Sequence, residues 1–433
     1  MFTDLTHSPV VLLTNPKRTV LRPYFITAQA PGQAQNHIAR AQHICRTVLG
    51  LSSDECEAEL TELTRGFISV HPQGEAFFLE RFAEVKALVG PVPAGIGHVG
   101  RPHAALIGAY FCREYAYEAA AIMNPSIVAH PDQPEVEYNA SRFCLSVRTV
   151  GEGHLSTLSF RSVLIFDDGR VEVEPEPVSA VEAHPLVAAS AGPVTVVRKD
   201  GTSLAEMVIF PVTTAQSNGI EDLRMVEFTE DNGDKIHVGT YTAYSGKETT
   251  CESFETTDFK TISLTPLRGL ASSHKGLTFF PRRINGRYAA IGRLDLENLH
   301  YLESDNRHVW NHGEQLMAPQ FSWELVQMGT CGSPIELDEG WLLFYHAVGA
   351  MRRYALGAAL LDKANPRIVL ARLKTPLLST QEDTREGYVP NVINSCGAIR
   401  HRDRIVIPYA AADSSIRFAS VEISALLRDM RAP

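Results

Sequence analysis

Ser159-Phe160-Arg161-Ser162-Val163-Leu164-Ile165-Phe166, closing on Asp167-Asp168-Gly169, reads as a β-strand that ends in a hairpin turn. Arg142-Phe143-Cys144-Leu145-Ser146-Val147-Arg148 is a similar run before it, and others follow at 236–244, 277–291, 341–348, 355–361 and 405–410. Each is short. Strands of this length in hairpin-sized groups, without helical crossovers between them, fit radial repetition or a large sandwich rather than a parallel sheet. Of these the pattern favours a β-propeller, with the repeat visible as a loose spacing of strand groups and not as residue identity.

The chain before this β-rich part is helical in pattern. Ser53-Asp54-Glu55 opens one helix in capping style, with Leu60, Leu63, Phe67 and Ile68 at roughly helical spacing. Phe77, Phe78, Phe82, Val85 and Leu88 mark a second, the Gly/Pro-rich break Gly90-Pro91-Val92-Pro93-Ala94-Gly95 follows, and a third is expected over 104–123. The expected division is therefore a helical part over 1–123 and a β domain over 124–433.

Composition bounds the function. A chain of 433 residues with 44% hydrophobic and 21% charged residues has ample core for a globular protein. The net charge of −10, without a basic run, argues against a nucleic-acid partner and leaves a neutral, hydroxyl-rich substrate compatible. No apolar run long enough to span a membrane occurs, and Val10-Val11-Leu12-Leu13 is interrupted at once by Thr14-Asn15-Pro16-Lys17, so a cytoplasmic protein is expected. Cysteines number 7, an odd count with no C-x-x-C pair, which speaks against a disulfide framework or a structural zinc site. A nucleophilic cysteine needs a His-paired setting that the sequence does not display. Neither H-E-x-x-H, an EF-hand, a P-loop nor Gly-x-Gly-x-x-Gly appears, so no metal and no nucleotide cofactor is expected.

The chemistry centres on Gly219-Ile220-Glu221-Asp222-Leu223-Arg224, which places two adjacent carboxylates and a guanidinium at a strand entry. Asp222 is the candidate general acid. Neighbours on an extended strand point to opposite faces, so Glu221 and Asp222 are not expected to share a pocket, and Glu221 is assigned a structural part. A proton donor needs a raised pKa, whereas Arg224 would lower it. Taken alone, the hexapeptide also fits a solvated acidic turn with an ion pair.

Other constellations surround this one. Asn124-Pro125-Ser126 is expected to follow a helix directly, and Arg148 sits at a strand end before Gly151-Glu152-Gly153-His154; Asn, Ser and Arg can hold sugar hydroxyls. Lys275, Arg293, His346, Arg352, Arg353 and Tyr354 lie near strand ends, and converging cations make an anion site. Asp413 ends a strand of small residues, which leaves room for a ligand. Trp323 and Trp341 are candidates for a sugar-stacking platform or for core.

In this order, Asn124-Pro125-Ser126, 142–165, 219–224, 275–293, 332–348, 354–362, Val389-Pro390-Asn391 and Asp413 resemble glycoside hydrolase family 130, over about residues 124–423. The resemblance implies an all-β five-bladed β-propeller acting on β-mannosides, with the helices as the α-helical N-terminal extension of a longer branch. It implies Asp222 as the general acid, passing its proton through a mannose hydroxyl, and Asn124, Ser126, Arg148 and Asp413 as the residues holding the mannosyl unit. Lys275, Arg293 and Tyr354 match phosphate-binding positions, with His346 in the same pocket. The implied partners are a β-linked manno-oligosaccharide and inorganic phosphate as co-substrate; a homo-oligomer is left open.

Two departures bear on the reaction. Trp323-Glu324-Leu325-Val326-Gln327-Met328-Gly329 carries Gln327 where many phosphorylases have a cation, and His274 stands where related chains often have Asn. The leading expectation is an inverting β-mannoside phosphorylase giving α-mannose 1-phosphate. The alternatives are an inverting β-mannosidase, with Glu227 or Glu324 as base about 6.5–9.5 Å from the acid, and a non-catalytic sugar-binding propeller.

Overall fold

The hairpin at Asp167-Asp168-Gly169 forms as expected. Strand Ser156–Phe166 turns through Gly169 at φ 85° into Val171–Val173, and the Phe166 N–H donates to the Arg170 carbonyl at 2.9 Å. A side chain at position 169 would adopt an unfavourable left-handed backbone and meet Arg404 Nε at 2.9 Å, so glycine is required twice over. The computed structural model describes residues 4–24, 34–66, 70–71, 73–89, 99–133, 139–187 and 189–430. It divides into a larger β unit, Met1–Pro16, Tyr117–Pro177 and Val181–Pro433, and a smaller unit, Lys17–Ala116 with Val178–Ala180.

In the larger unit the strands form antiparallel groups in chain order. Ala121–Ala129, Ala140–Val150, Ser156–Phe166 and Val171–Val173 make the first; Gly219–Thr229, Lys235–Tyr244, Thr249–Thr256 and Thr261–Pro266 the next. Thr278–Phe279 through Gly313–Met317 form another, and Gln327–Thr330, Trp341–Val348, Tyr354–Leu361 and Val369–Arg372 the one after. In the last, Arg404–Ala411 and Ser415–Glu422 pair with each other, and Thr6–Leu13 adds to Ser415–Glu422.

Hydrophobic cores lie between successive groups. Phe160 packs with Leu223 and Tyr241, Phe228 with Leu277 and Leu302, Tyr301 with Leu343 and Tyr345, and Leu342 with Ile405 and Ile407. Leu145 and Val163 of the first group share a core with Val406 and Phe418 of the last. The groups thus pack in sequence order and the last returns to the first, a β-propeller-like arrangement.

The smaller unit carries the helices Ala34–Leu49, Ser53–Thr64, Gly74–Val89 and Arg101–Tyr110 around Cys45, Val85, Leu106 and Ile107. Ser52, one residue before the expected start, caps Ser53–Thr64 in a capping box with Glu55. Phe67, Ile68 and the break at 90–95 lie outside the described residues. Two expectations change. The third helix stops at Tyr110, and Cys112–Ala116 and Ala121–Ala129 are strands; Tyr115 and Tyr117 bury their rings there, so the apolar run continues in extended form. Nor do the helices form an extension over 1–123. Thr6–Leu13 belongs to the β unit through its pairing with Ser415–Glu422, so the helices are inserted between two strands of that unit.

Glu324 anchors one strand group from inside. It is fully buried and accepts from Gln320 N (2.8 Å), Phe321 N (3.0 Å), Tyr345 Oη (2.8 Å) and Arg372 Nη2 (2.8 Å). Glu324→Ala leaves the buried Arg372 without its counter-charge and is expected to cost about 3–5 kcal/mol, read as a lower midpoint in urea unfolding. An unchanged midpoint contradicts this account.

Candidate active site

Asp222 owes its position to a break in strand pairing. Glu221 lies opposite Thr242 and Arg224 opposite Thr240, so Asp222 and Leu223 together face one partner residue in a β-bulge. Asp222 sits there at φ 58°, a left-handed conformation that Asp and Asn tolerate better than most side chains. The bulge overturns the expectation that Glu221 and Asp222 face apart. Both meet Arg148, whose Nη2 donates to Glu221 Oε1 at 2.7 Å and Nη1 to Asp222 Oδ1 at 3.0 Å. The alternation argument fails because it assumed an extended chain.

A matching bulge shapes the neighbouring strand. Met123 pairs with Arg148 and Ser126 with Ser146, leaving Asn124 and Pro125 in the irregularity, with Asn124 at φ 52°. Asn124-Pro125-Ser126 therefore lies within a strand and not behind a helix; proline, lacking an N–H, is tolerated at a bulge. Ser126 Oγ accepts the Met225 N–H at 2.9 Å, tying this strand to the Asp222 strand, and Asn124 Nδ2 donates toward Cys396 Sγ at 3.7 Å.

Cations dominate the surroundings. Lys275 Nζ donates to Glu221 Oε2 at 2.8 Å, so Glu221 bridges Lys275 and Arg148. Arg224 is buried and donates to the Asp222 carbonyl at 2.8 Å. Arg293 makes no ion pair with a carboxylate among the described residues, and burial beside Arg224 disfavours its charge. His346 is buried; its ring stacks on Tyr354 with centroids 6.0 Å apart, and Arg352 lies over the Tyr354 ring at 5.9 Å. Of the residues singled out in the sequence, Arg148, Asp222, Lys275, Arg293, His346, Tyr354 and Asp413 are linked by direct bonds, ring stacking and mutual charge effects, while Ser126 holds the Asp222 strand through Met225 and Asn124 reaches Cys396.

The carboxyls differ in proton affinity. Burial pushes Asp222 up, but Arg148, Arg224 and Lys275 together outweigh it and hold the group below its ordinary value. Burial raises Asp413 to about 6, with Asp222 adding to the rise and Arg148 and Arg352 opposing it. Asp222 is therefore the ionised carboxylate of the set, paired with Arg148. A donor role requires that ligands draw these cations away.

The structure decides between several alternatives. Glu324 is engaged in the core, and Glu227 pairs with the exposed Lys235 at 2.5 Å, so neither faces Asp222 as a base. Trp341 is fully buried with its Nε1 on the Lys363 carbonyl, and Trp323 stacks on Tyr345. Cys331 does have a histidine, with Sγ 3.8 Å from His346 Nδ1, but burial raises the thiol and depresses the imidazole, which disfavours a thiolate. Burial likewise raises Cys396 to about 11. Sequence reasoning missed Ser156, whose Oγ takes Arg148 Nε at 3.0 Å, and the bridging part of Glu221. The only signal for Ser156 is its place just after the Gly151 to His154 turn. Among the described residues no cluster of three His, Cys, Asp or Glu is arranged to hold a metal, and no helix is long and apolar enough to cross a membrane.

Comparison with known proteins gives consistent matches. The family model of glycoside hydrolase family 130, described as beta-1,4-mannooligosaccharide phosphorylase, matches residues 197–431. A beta-1,2-mannobiose phosphorylase of Listeria innocua is 32% identical over 231 residues, 51% of this chain and 63% of that protein. The chain thus spans less than two thirds of that relative's length. A 1,2-beta-oligomannan phosphorylase of Thermoanaerobacter sp. is 31% identical over 233 residues, 52% of this chain and 77% of that one. Among solved structures, the Listeria innocua beta-1,2-mannobiose phosphorylase in complex with beta-1,2-mannobiose aligns with a TM-score of 0.53 at 21% identity, covering 72% of this chain and 92% of that one.

Burial beside Arg293 and Arg224 holds His346 down to about 3, against an ordinary value near 6.5. Between these values the unfolded chain binds a proton that the folded protein does not, so stability falls as pH drops through this window and is unaffected by this group above it. His346 contributes up to about 1.4 kcal/mol per pH unit to that slope. His346→Asn is expected to flatten the dependence between pH 6 and 4 in urea unfolding; an identical slope in both proteins rules the account out.

Proposed function

Because the chain belongs to glycoside hydrolase family 130, we propose that it is an inverting β-mannoside phosphorylase, converting a β-linked manno-oligosaccharide and inorganic phosphate to α-mannose 1-phosphate and a shortened saccharide. The observation that carries this reading is the Asp222 carboxylate, held in a left-handed bulge against Arg148 and surrounded by Arg224, Lys275 and Arg293. In this reading the packed strand groups are the five blades of the propeller, and the site lies among strand ends that face one another.

Asn124, Ser126, Arg148 and Asp413 hold the mannosyl unit, and Lys275, Arg293, His346 and Tyr354 hold phosphate. A phosphate oxygen attacks the anomeric carbon as its bond to the glycosidic oxygen breaks. Asp222 supplies the proton to the leaving oxygen through a mannose hydroxyl, and the proton carried by hydrogen phosphate restores Asp222. Net, one proton moves from phosphate to the released saccharide. Phosphate is already anionic, so orientation and charge compensation replace a general base.

Ligands also resolve the low proton affinity of Asp222. Dianionic phosphate competes for Lys275 and Arg293, and sugar hydroxyls compete for Arg148; both changes raise the carboxyl toward the donor range. Arg352, beside Tyr354, supplies positive charge where Gln327 has none. The engagement of Glu227 and Glu324 elsewhere weakens the hydrolytic alternative. A cytoplasmic setting fits the seven cysteines, all of them free.

Incubation with β-1,2- and β-1,4-linked mannobiose is expected to yield mannose 1-phosphate when phosphate is present and no sugar cleavage when it is absent. Equal release of free mannose in both conditions overturns the proposal. Asp222→Asn should lower turnover by about 100-fold or more with the fold intact by circular dichroism; retention of a tenth of the activity removes it as the acid. Arg293→Ala should raise the KM for phosphate about tenfold, and an unchanged KM removes it from the anion site.

A further inference from the structure

Two exposed side chains far apart in sequence meet beside the residues that flank Asp222. His154 Nδ1 and Tyr388 Oη are 3.0 Å apart, with ring centroids at 6.4 Å and planes tilted by 35°. Both are exposed, Tyr388 at 46%, so the pair contributes little to the core. An exposed hydrogen bond between segments separated by 234 residues needs another reason to be ordered.

The backbone around the pair supplies one. His154 stands at φ 60° in the turn from Gly151, and two residues later Ser156 Oγ holds Arg148 Nε. On the other side, the Tyr388 N–H donates to Ser414 Oγ at 2.7 Å and the Val389 N–H to the Ala412 carbonyl at 3.0 Å, bracketing Asp413. Gly387, at φ 159°, lies so close to Ser414 and Ala412 that a Cβ there would be 2.5 Å from Ser414 Oγ. The His154 and Tyr388 contact therefore joins the loop that buttresses Arg148 to the loop that flanks Asp413.

The pair lies nearer the surface than the buried members of the site. His346 and Arg224 are buried, whereas His154 and Tyr388 stand at the surface. The pair adjoins Arg148 through Ser156 and Asp413 through Ser414, the residues assigned to the mannosyl unit, so a saccharide leaving that unit toward solvent passes this exposed rim. A tyrosine ring held by one hydrogen bond offers a fixed apolar face with a polar edge, which suits the C–H face of a pyranose.

We infer that the Tyr388 ring, held in place by His154, is the platform for the leaving sugar and determines which acceptor is used. This rests on the phosphorylase reading. Tyr388 is a substrate-contacting specificity residue, and His154 is a positioning residue that acts through it.

The test uses the synthetic direction, with the full chain, α-mannose 1-phosphate as donor and mannose or β-1,2-mannobiose as acceptor. Tyr388→Ala is expected to raise the KM for the acceptor roughly tenfold while the KM for α-mannose 1-phosphate stays within about twofold. Tyr388→Phe keeps the ring and should stay within about threefold of the wild type for both substrates. His154→Ala should fall between the two for the acceptor alone. Thermal melting of each variant checks that the fold is retained, as exposure of both residues predicts. An unchanged acceptor KM in Tyr388→Ala, an equal rise in both KM values, or a loss in Tyr388→Phe as large as in Tyr388→Ala overturns the inference. A wild-type protein that synthesises no saccharide from α-mannose 1-phosphate instead overturns the phosphorylase reading, and the inference with it.

Discussion

The site depends on one guanidinium. Arg148 distributes its donors over Glu221, Asp222 and Ser156, and so joins the first strand group to the strand that carries both carboxylates. Glu221 in turn holds Lys275. Two carboxylates and two cations compensate one another in a partly buried place where an unpaired charge would be costly. A ligand that takes one member of this set changes the proton affinity of the others. Asp222 is thereby held in its ionised form by its neighbours.

Backbone strain is concentrated in the same segments. Asn124, Asp222, Asn391 and Asp413 all have left-handed φ angles, as do His154, Arg352 and Ala412. Each such residue costs on the order of 1 kcal/mol or more and persists because its surroundings fix it. Here the fixing groups are visible: Ser126 Oγ on the Met225 amide, Arg224 on the Asp222 carbonyl, and the Asn391 carbonyl on the Tyr354 amide at 3.0 Å. Bulges aim side chains into the site that regular pleating would send to the other face.

Strands with strong local pattern were legible in the sequence. Trp341–Val348 has the expected bounds, Tyr354–Leu361 begins one residue before the expected start, and Arg404–Ala411 runs one residue beyond expectation at each end. The order of motifs singled out Asp222, Arg148 and Lys275, which the structure joins through direct ion pairs and through Glu221. The sequence was silent where long-range pairing decides. Thr6–Leu13 carries no sign that its partner is Ser415–Glu422, and Asn-Pro in residues 124–125 reads as a helix stop unless its strand partner is known. The same ignorance of register led to the expectation that Glu221 and Asp222 face apart. Glu324 was misread for a different reason, since nothing local announces that Tyr345 and Arg372 enclose it.

The pairing of Thr6–Leu13 with Ser415–Glu422 has a kinetic consequence. The last strand group is complete only when segments from both ends of the sequence meet, with the helical unit lying in the chain between the first strand and the rest. Closing a loop of this length costs about 2 kcal/mol more than closing one a tenth as long, and nothing offsets it until the strands dock. During synthesis the first strand must therefore wait, unpaired, until nearly the whole chain has emerged. Final closure is expected to be a late, slow and cooperative event of folding, and the exposed edge of Ser415–Glu422 the surface most open to mispairing before it.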